Sequence, residues 1–438
     1  MINLQEFFKF LSIPSISSEP RYKGEVRKCA LFLYDKLKLL GFETELWETE
    51  GHPILFAKSP HIEGKPTLLI YNHYDVQPVD PLELWETPPF SPTIKDGQVY
   101  ARGAQDNKGQ CFYVLEALRN IKETKGAFPL NIKLCIEGEE ECGSESLSKI
   151  ISTKTKELKA DILAIIDLGI PNLSTPALTM GTRGLMTFDI EVLNALKDLH
   201  SGSHGGLAFN PIHALVKILA EARDEKGQIT IPGFYEDVVS SSEEDNISFD
   251  FNYEQYRKDF GIEPTGGEQS FSPLERNWLR PTLEINGIYG GYTGEGFKTV
   301  IPAKASAKIS CRLVPHQSPQ KIGYLIKDYF ENKAPAGTKV AVHIHGEGGE
   351  AARSHLETLG VKAFAKAYKE VFGKPCQYIF EGASIPIIPK LAKASGSEPV
   401  LLGLGLPTDN IHAPNEHFGI DRLEMGAKII IKAIHSMS

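Results

Sequence analysis

The chain has 438 residues, more than one hydrophobic core usually carries, so two domains are expected. A composition of 41% hydrophobic and 24% charged residues is that of a folded globular protein. The formal net charge of −9, with no Lys/Arg stripe, argues against nucleic acid as a partner, and no apolar run approaches the ~20 residues a membrane span needs.

The N-terminal MINLQEFFKFLSIPSIS is amphipathic, and Glu6 and Lys9 break any signal-peptide core. Helices are predicted over 3–12 and 24–41, the second stopping at Gly41. ETELWE and a short strand at 54–57 follow, then TLLIYNHYDV, a continuous β-rich run suited to a strand buried on both faces. A helix over 108–122, a strand over 130–136, a glutamate-rich loop and a buried strand over 161–167 complete an α/β pattern with helices on both faces.

After Gly184 the pattern changes. LMTFDIEVLNA alternates like a half-exposed strand, and a helix over 211–221 precedes a polar, irregular stretch at 223–280. Strands at 282–288 and 303–314, a helix over 318–332 and the strand VAVHIHG make an α+β insert with one sheet face exposed. From about 350 the α/β character returns, with a helix over 354–371, strands at 377–380 and 399–404, and a C-terminal helix. The expected organisation is a discontinuous catalytic domain, 1–183 and 350–438, interrupted by an inserted domain at 184–349. The six cysteines form no CxxC and suggest reduced thiols of a cytoplasmic protein; Cys142 is a soft donor among hard carboxylates and a poor ligand candidate.

Five places put acids or imidazoles at or just after the ends of buried strands, where open α/β sheets bind ligands. In NHYDV, His73 and Asp75 point the same way, which suits an imidazole ligand oriented by a carboxylate. Asp106, between glycines before a helix, could bridge two cations, although an N-cap aspartate is the commoner role for such a residue. The acids Glu137, Glu139, Glu140 and Glu141 would repel one another unless solvated or near a cation, and two of them could divide the roles of ligand and base. Asp167 ends DILAIID, and His412 follows the glycine-rich LLGLGLP; His417 is a decoy of the same type. Together these residues form a nitrogen and oxygen donor set for two zinc or manganese ions, roughly 3.5–4 Å apart.

The ordered motifs NHYDVQP, PPFSPTIKDGQVYARGAQDNKGQ, EGEEECGS, MGTRG, DLHSGSHGG, KTVIPAKASAKISCRLVP, EGASIPI and DNIHAPNEHF resemble the carnosinase-like dipeptidases along the whole chain. These belong to the dinuclear metallopeptidase clan that includes glutamate carboxypeptidase, aminoacylase and succinyl-diaminopimelate desuccinylase. The resemblance implies a mixed sheet sandwiched by helices, of the zinc-peptidase type, with an inserted lid and dimerisation domain. It implies His73 and Asp167 as ligands of one metal, Glu141 and His412 of the other, Asp106 as the bridge and Glu140 as the general base. In the alternative register the base is Glu139 and the ligand Glu140. The resemblance further implies a homodimer in which His200 reaches the partner's active site to stabilise the oxyanion, with His204 as its rival. Arg312, Thr299 and Ser384 are similar to residues that hold the substrate's terminal carboxylate.

The expected activity is hydrolysis of dipeptides by a hydroxide held between the two metals, Zn2+ favoured over Mn2+. An N-acyl-amino-acid deacylase on the same dinuclear site is the enzymatic alternative, and a non-catalytic scaffold on the same fold is the other class. Every position that the resemblance implies for catalysis is filled.

Overall fold

A computed structural model describes residues 2–239 and 250–438. The acidic SSSEED at 240–245, expected to be a solvated loop, lies outside the described residues. The chain divides into two compact units: 1–181, 353–379 and 387–438 form the first, and 182–352 with 380–386 form the second. The segment expected to be continuous from 350 to 438 is thus interrupted. Residues 380–386 group with the second unit because Arg183 holds them there, its backbone N–H donating to Ala383 O and its Nε to Gly382 O.

The first unit is built on a nine-stranded mixed sheet. At its centre Asn131–Glu137, Thr67–His73, Ile162–Ile166 and Pro399–Leu402 run parallel to one another in that order. Their residues are almost all buried, as both-face coverage requires. Antiparallel strands, including Glu43–Trp47 and Ile54–Lys58, extend one side. The helices Lys23–Leu39, Lys108–Lys125, Leu359–Phe372 and Ile420–Met437 supply the apolar cover. The helix expected from 354 begins only at Leu359, where Thr358 caps it through its hydroxyl. A three-stranded ribbon of Thr93–Lys95, Gln98–Tyr100 and His417–Gly419, too short to leave a period-2 signal, brings the chain just after His412 next to the chain just before Asp106.

The second unit has an antiparallel four-stranded sheet, in the order Thr282–Gly290, Lys304–Leu313, Gly184–Leu193, Lys339–Gly349. Strict in–out alternation along Gly184–Leu193 buries Phe188, Ile190 and Val192 against helices Pro211–Glu221 and Pro319–Asn332. The stretch 223–280, expected to be irregular, contains two short helices, Tyr253–Phe260 and Pro273–Trp278. Side-chain caps from Asn252 and Ser272 start them, and their low apolar content hid them from periodicity.

Candidate metal centre

Each of the four central parallel strands delivers an acid or imidazole at or beyond its C-terminal end. His73 closes its strand, Asp167 follows Ile166, the Glu140–Cys142 turn follows Glu137, and His412 lies on the loop after Leu402. Asp106 arrives separately, just ahead of helix Lys108–Lys125. This is the crevice that a parallel sheet opens at its carboxyl edge.

The side chains converge. His73, Asp106 and Asp167 present one ligand atom each within 4.8 Å of one another, and so do Asp106, Glu141 and His412. Nε2 of His73 lies 3.0 Å from Asp106 Oδ1 and 3.4 Å from Asp167 Oδ1. Nε2 of His412 lies 2.9 Å from the other Asp106 oxygen and 3.1 Å from Glu141 Oε2. Asp106 therefore faces both groups, one oxygen to each.

Asp75 organises both halves. Its carboxylate is 3.3 Å from Nδ1 of His73, and it accepts the backbone N–H groups of Glu140 at 3.2 Å and Glu141 at 3.1 Å. The acids of the glutamate run separate sharply. Both oxygens of Glu139 are taken, by the N–H groups of His52 and Ser146. Glu137 accepts from the Tyr71 and Ser144 hydroxyls, and burial pushes its pKa up to about 8. Among the described residues the Glu140 carboxylate accepts no hydrogen bond, and Glu141 is steadied by Gln77 Nε2 at 2.8 Å.

The electrostatics of the cluster call for a cation. Five carboxylates, those of Asp75, Asp106, Glu140, Glu141 and Asp167, gather around two imidazoles, so even two imidazolium charges leave it anionic. Burial, opposed by His73 and aided by Asp167, Glu141 and Asp106, drives Glu140 well above the ordinary carboxylate range. Burial and Asp106 push Glu141 up to about 7, and burial raises Asp167 despite His73. For Asp106, hydrogen bonds from His412 and His73 outweigh burial and hold it well below the usual value. Hydrogen bonds to Asp106 and Glu141 lift His412 to about 10. Buried charges persist when paired or metal-bound, and oxygen with imidazole nitrogen suits zinc or manganese.

A model of peptidase family M20/M25/M40 matches residues 69–436. The chain belongs to that family. This M20 peptidase is 31% identical to the Cys-Gly metallodipeptidase of Schizosaccharomyces pombe, over 98% of its own length and 94% of the relative's. It is 30% identical to the Beta-Ala-His dipeptidase of Rattus norvegicus, over 95% and 88% of the two chains. Among solved structures, it resembles an M20 metallo-carboxypeptidase from Sulfolobus solfataricus with a TM-score of 0.88 and 34% identity, covering 100% and 99% of the two chains.

The M20 chain's remaining candidate residues belong to the second unit. Arg312, on strand Lys304–Leu313, donates from Nη1 to Ser384 Oγ at 2.7 Å. Thr299 lies beside His200, next to the ribbon where Leu199–His200 pairs with Val300–Ile301, and its carbonyl accepts the Ser201 N–H. Nδ1 of His200 accepts the Gly202 N–H at 3.0 Å, so a neutral ring carries its proton on Nε2. His204 ends the short helix that follows, and His417 stacks on Tyr100, outside the cluster.

Several residues that frame the site escaped the sequence reading. Glu416, fully buried, accepts the Gly103, Gln105 and Asp106 N–H groups and pairs with Arg102 at 2.8 Å, fixing the Asp106 loop from the His412 segment. Asn107 donates to Asp167 at 2.6 Å, and the buried Arg422–Asp409 pair braces the loop in which His412 adopts φ +58°. For Glu416 the available signal was an acid four residues after His412, inside the same motif.

Proposed function

We propose that this peptidase hydrolyses dipeptides bearing a free C-terminal carboxylate, with one divalent ion held by His73, Asp106 and Asp167 and a second by Asp106, Glu141 and His412. The observation that carries this reading is the shared Asp106 between two imidazole–carboxylate groups, that of His73 buried and that of His412 open to solvent. Zinc is the favoured ion and manganese the alternative. Such a pair, when bound, lowers the pKa of water and polarises the scissile carbonyl.

The chain's own residues carry the proton and position the substrate. Glu140, whose carboxylate accepts no hydrogen bond among the described residues while that of Glu139 is fully engaged, takes the proton of the attacking water and returns it to the leaving amine. Asp75 fixes the His73 ring and the backbone of the Glu140–Glu141 turn. Arg312 and Ser384 receive the terminal carboxylate, the guanidinium fork matching its two oxygens. His200, with its proton on Nε2, is a donor for the oxyanion in a homodimer, and Thr299 travels with it on the same ribbon. The six unpaired thiols fit a reducing cytoplasm.

The similarity to a metallo-carboxypeptidase favours a second reading, release of C-terminal residues from longer peptides or N-acyl amino acids. Hydrolysis of Ala-Ala, β-Ala-His, a tripeptide and an N-acetyl amino acid by the metal-loaded protein, with Glu140→Gln as control, tests both. Dipeptides turned over fastest, and a nearly inactive variant with full metal content, are the expected results. Full activity in Glu140→Gln removes the assignment of the base.

A further inference from the structure

Arg183, in the GTRG motif, has no role in the chemistry above, yet it is one of the most heavily bonded side chains of the second unit. It is 7% exposed. Its backbone N–H donates to Ala383 O at 3.1 Å, its Nε to Gly382 O at 2.9 Å, its Nη1 to Arg280 O at 3.3 Å and its Nη2 to Asn277 Oδ1 at 3.4 Å. One guanidinium thus ties the 382–384 turn to the end of helix Pro273–Trp278 and the residues just beyond it. The contact is close: a Cβ on Gly382 would lie 2.5 Å from Asn277 Oδ1 and 3.0 Å from Asn277 O. Arg280 is itself immobilised by a two-pronged pair with Glu268 at 2.9 Å and by the faces of Phe271 and Tyr235.

The turn held in this way carries Ser384, whose hydroxyl meets Arg312. All the acceptors of Arg183 are neutral, and among the described residues neither Arg183 nor Arg312 is ion-paired with a carboxylate. Burial and the neighbouring Arg312 charge lower Arg183 to about 10 against the opposing pull of the Glu381 carboxylate, so two guanidinium groups share this wall with one nearby acid.

We propose that Arg183 is a positioning residue of the carboxylate-binding subsite, clamping the Ser384 turn onto the 277–280 segment so that Ser384 and Arg312 meet the substrate's C-terminal carboxylate in one fixed geometry. This rests on the reading of Arg312 and Ser384 given above. It also gives the 268–280 segment a function, as the buttress of the specificity pocket.

The test compares Ala-Ala with Ala-Ala amide on the metal-loaded full chain. In Arg183→Met the KM for Ala-Ala rises roughly tenfold, kcat changes little, and the preference over the amide collapses by a similar factor. Arg183→Lys, which keeps the charge without the fork, falls between. Gly382→Ala, which leaves Arg183 in place but pushes the turn off Asn277, raises the KM in the same direction and carries the decision should Arg183→Met fail to fold. Metal content and the KM for the amide stay at wild-type values throughout. If Arg312→Met destroys the preference for a free carboxylate while Arg183→Met, or Gly382→Ala in its stead, preserves it, the clamp is refuted and the parent reading stands. If Arg312→Met also preserves it, the subsite itself has been misassigned.

Discussion

Replacing Asp75 by Asn tests the core of the metal site, because Asp75 touches both halves of it. The side chain stays the same size but keeps only one acceptor oxygen for the two backbone N–H groups at 3.1 and 3.2 Å, and its new NH2 faces the other. A hydrogen bond to a charged acceptor contributes about 1.5–3 kcal/mol, so losing one costs the Glu140–Glu141 turn about 2 kcal/mol. At 1.4 kcal/mol per tenfold, that is roughly 30-fold in affinity for the ion proposed to be held by Glu141, within the 10- to 100-fold range usual for loss of a ligand's supporting partner. The His73 ring loses its carboxylate neighbour at 3.3 Å but keeps the Asp75 backbone carbonyl at 3.1 Å from Nδ1, so the ion proposed for His73 should weaken too, by less. Titration of metal-free protein with zinc against a chromogenic chelator would show two weakened sites. If Asp75→Asn bound both ions within threefold of wild type, the argument that Asp75 supports both halves would fail.

Glu416→Ala leaves Arg102 buried without its partner and three loop N–H groups without their acceptor; urea unfolding of metal-free protein should show a loss of about 3–5 kcal/mol. Because His412 titrates near 10 in the metal-free fold against about 6.5 unfolded, its contribution to stability is complete below pH 6.5 and vanishes as pH climbs to 10. The metal-free Tm should therefore fall more steeply across that window in wild type than in His412→Asn, where the raised Glu137 and Glu141 carboxyls still cost stability up to about pH 8, and zinc uptake at pH 7 should release protons and tighten as pH rises. His200→Ala should lower kcat roughly 100- to 1000-fold with intact metal content, and mixing it with Glu140→Gln should restore activity if subunits complement. Equal inactivity of the mixture and the single variants would argue that His200 serves its own subunit's site.

Much of the fold was legible because period and burial are written locally. The continuous apolar runs ending at His73 and Asp167 mark central parallel strands, and the alternation in Gly184–Leu193 marks a sheet with one covered face. The short strands 93–95, 98–100 and 417–419 were not legible, since three residues carry no period. Nor were the roles of Glu416, Asn107 and Arg183. Each acts largely on backbone or amide groups far away in the chain, and that depends on the path of loops rather than on the residues beside it.

By itself the sequence determined the chemical inventory: which strands are apolar throughout, and which imidazoles and carboxylates stand where those strands end. Only the tertiary structure decided how that inventory is used. It engages Glu139 with two N–H groups and leaves the Glu140 carboxylate without a hydrogen bond among the described residues, turns one Asp106 oxygen to each half of the site, and sets Thr299 beside His200. Adjacent residues of the same type are equivalent in composition, and they become different only when a fold buries one against a donor and points the next at a cluster of like charge.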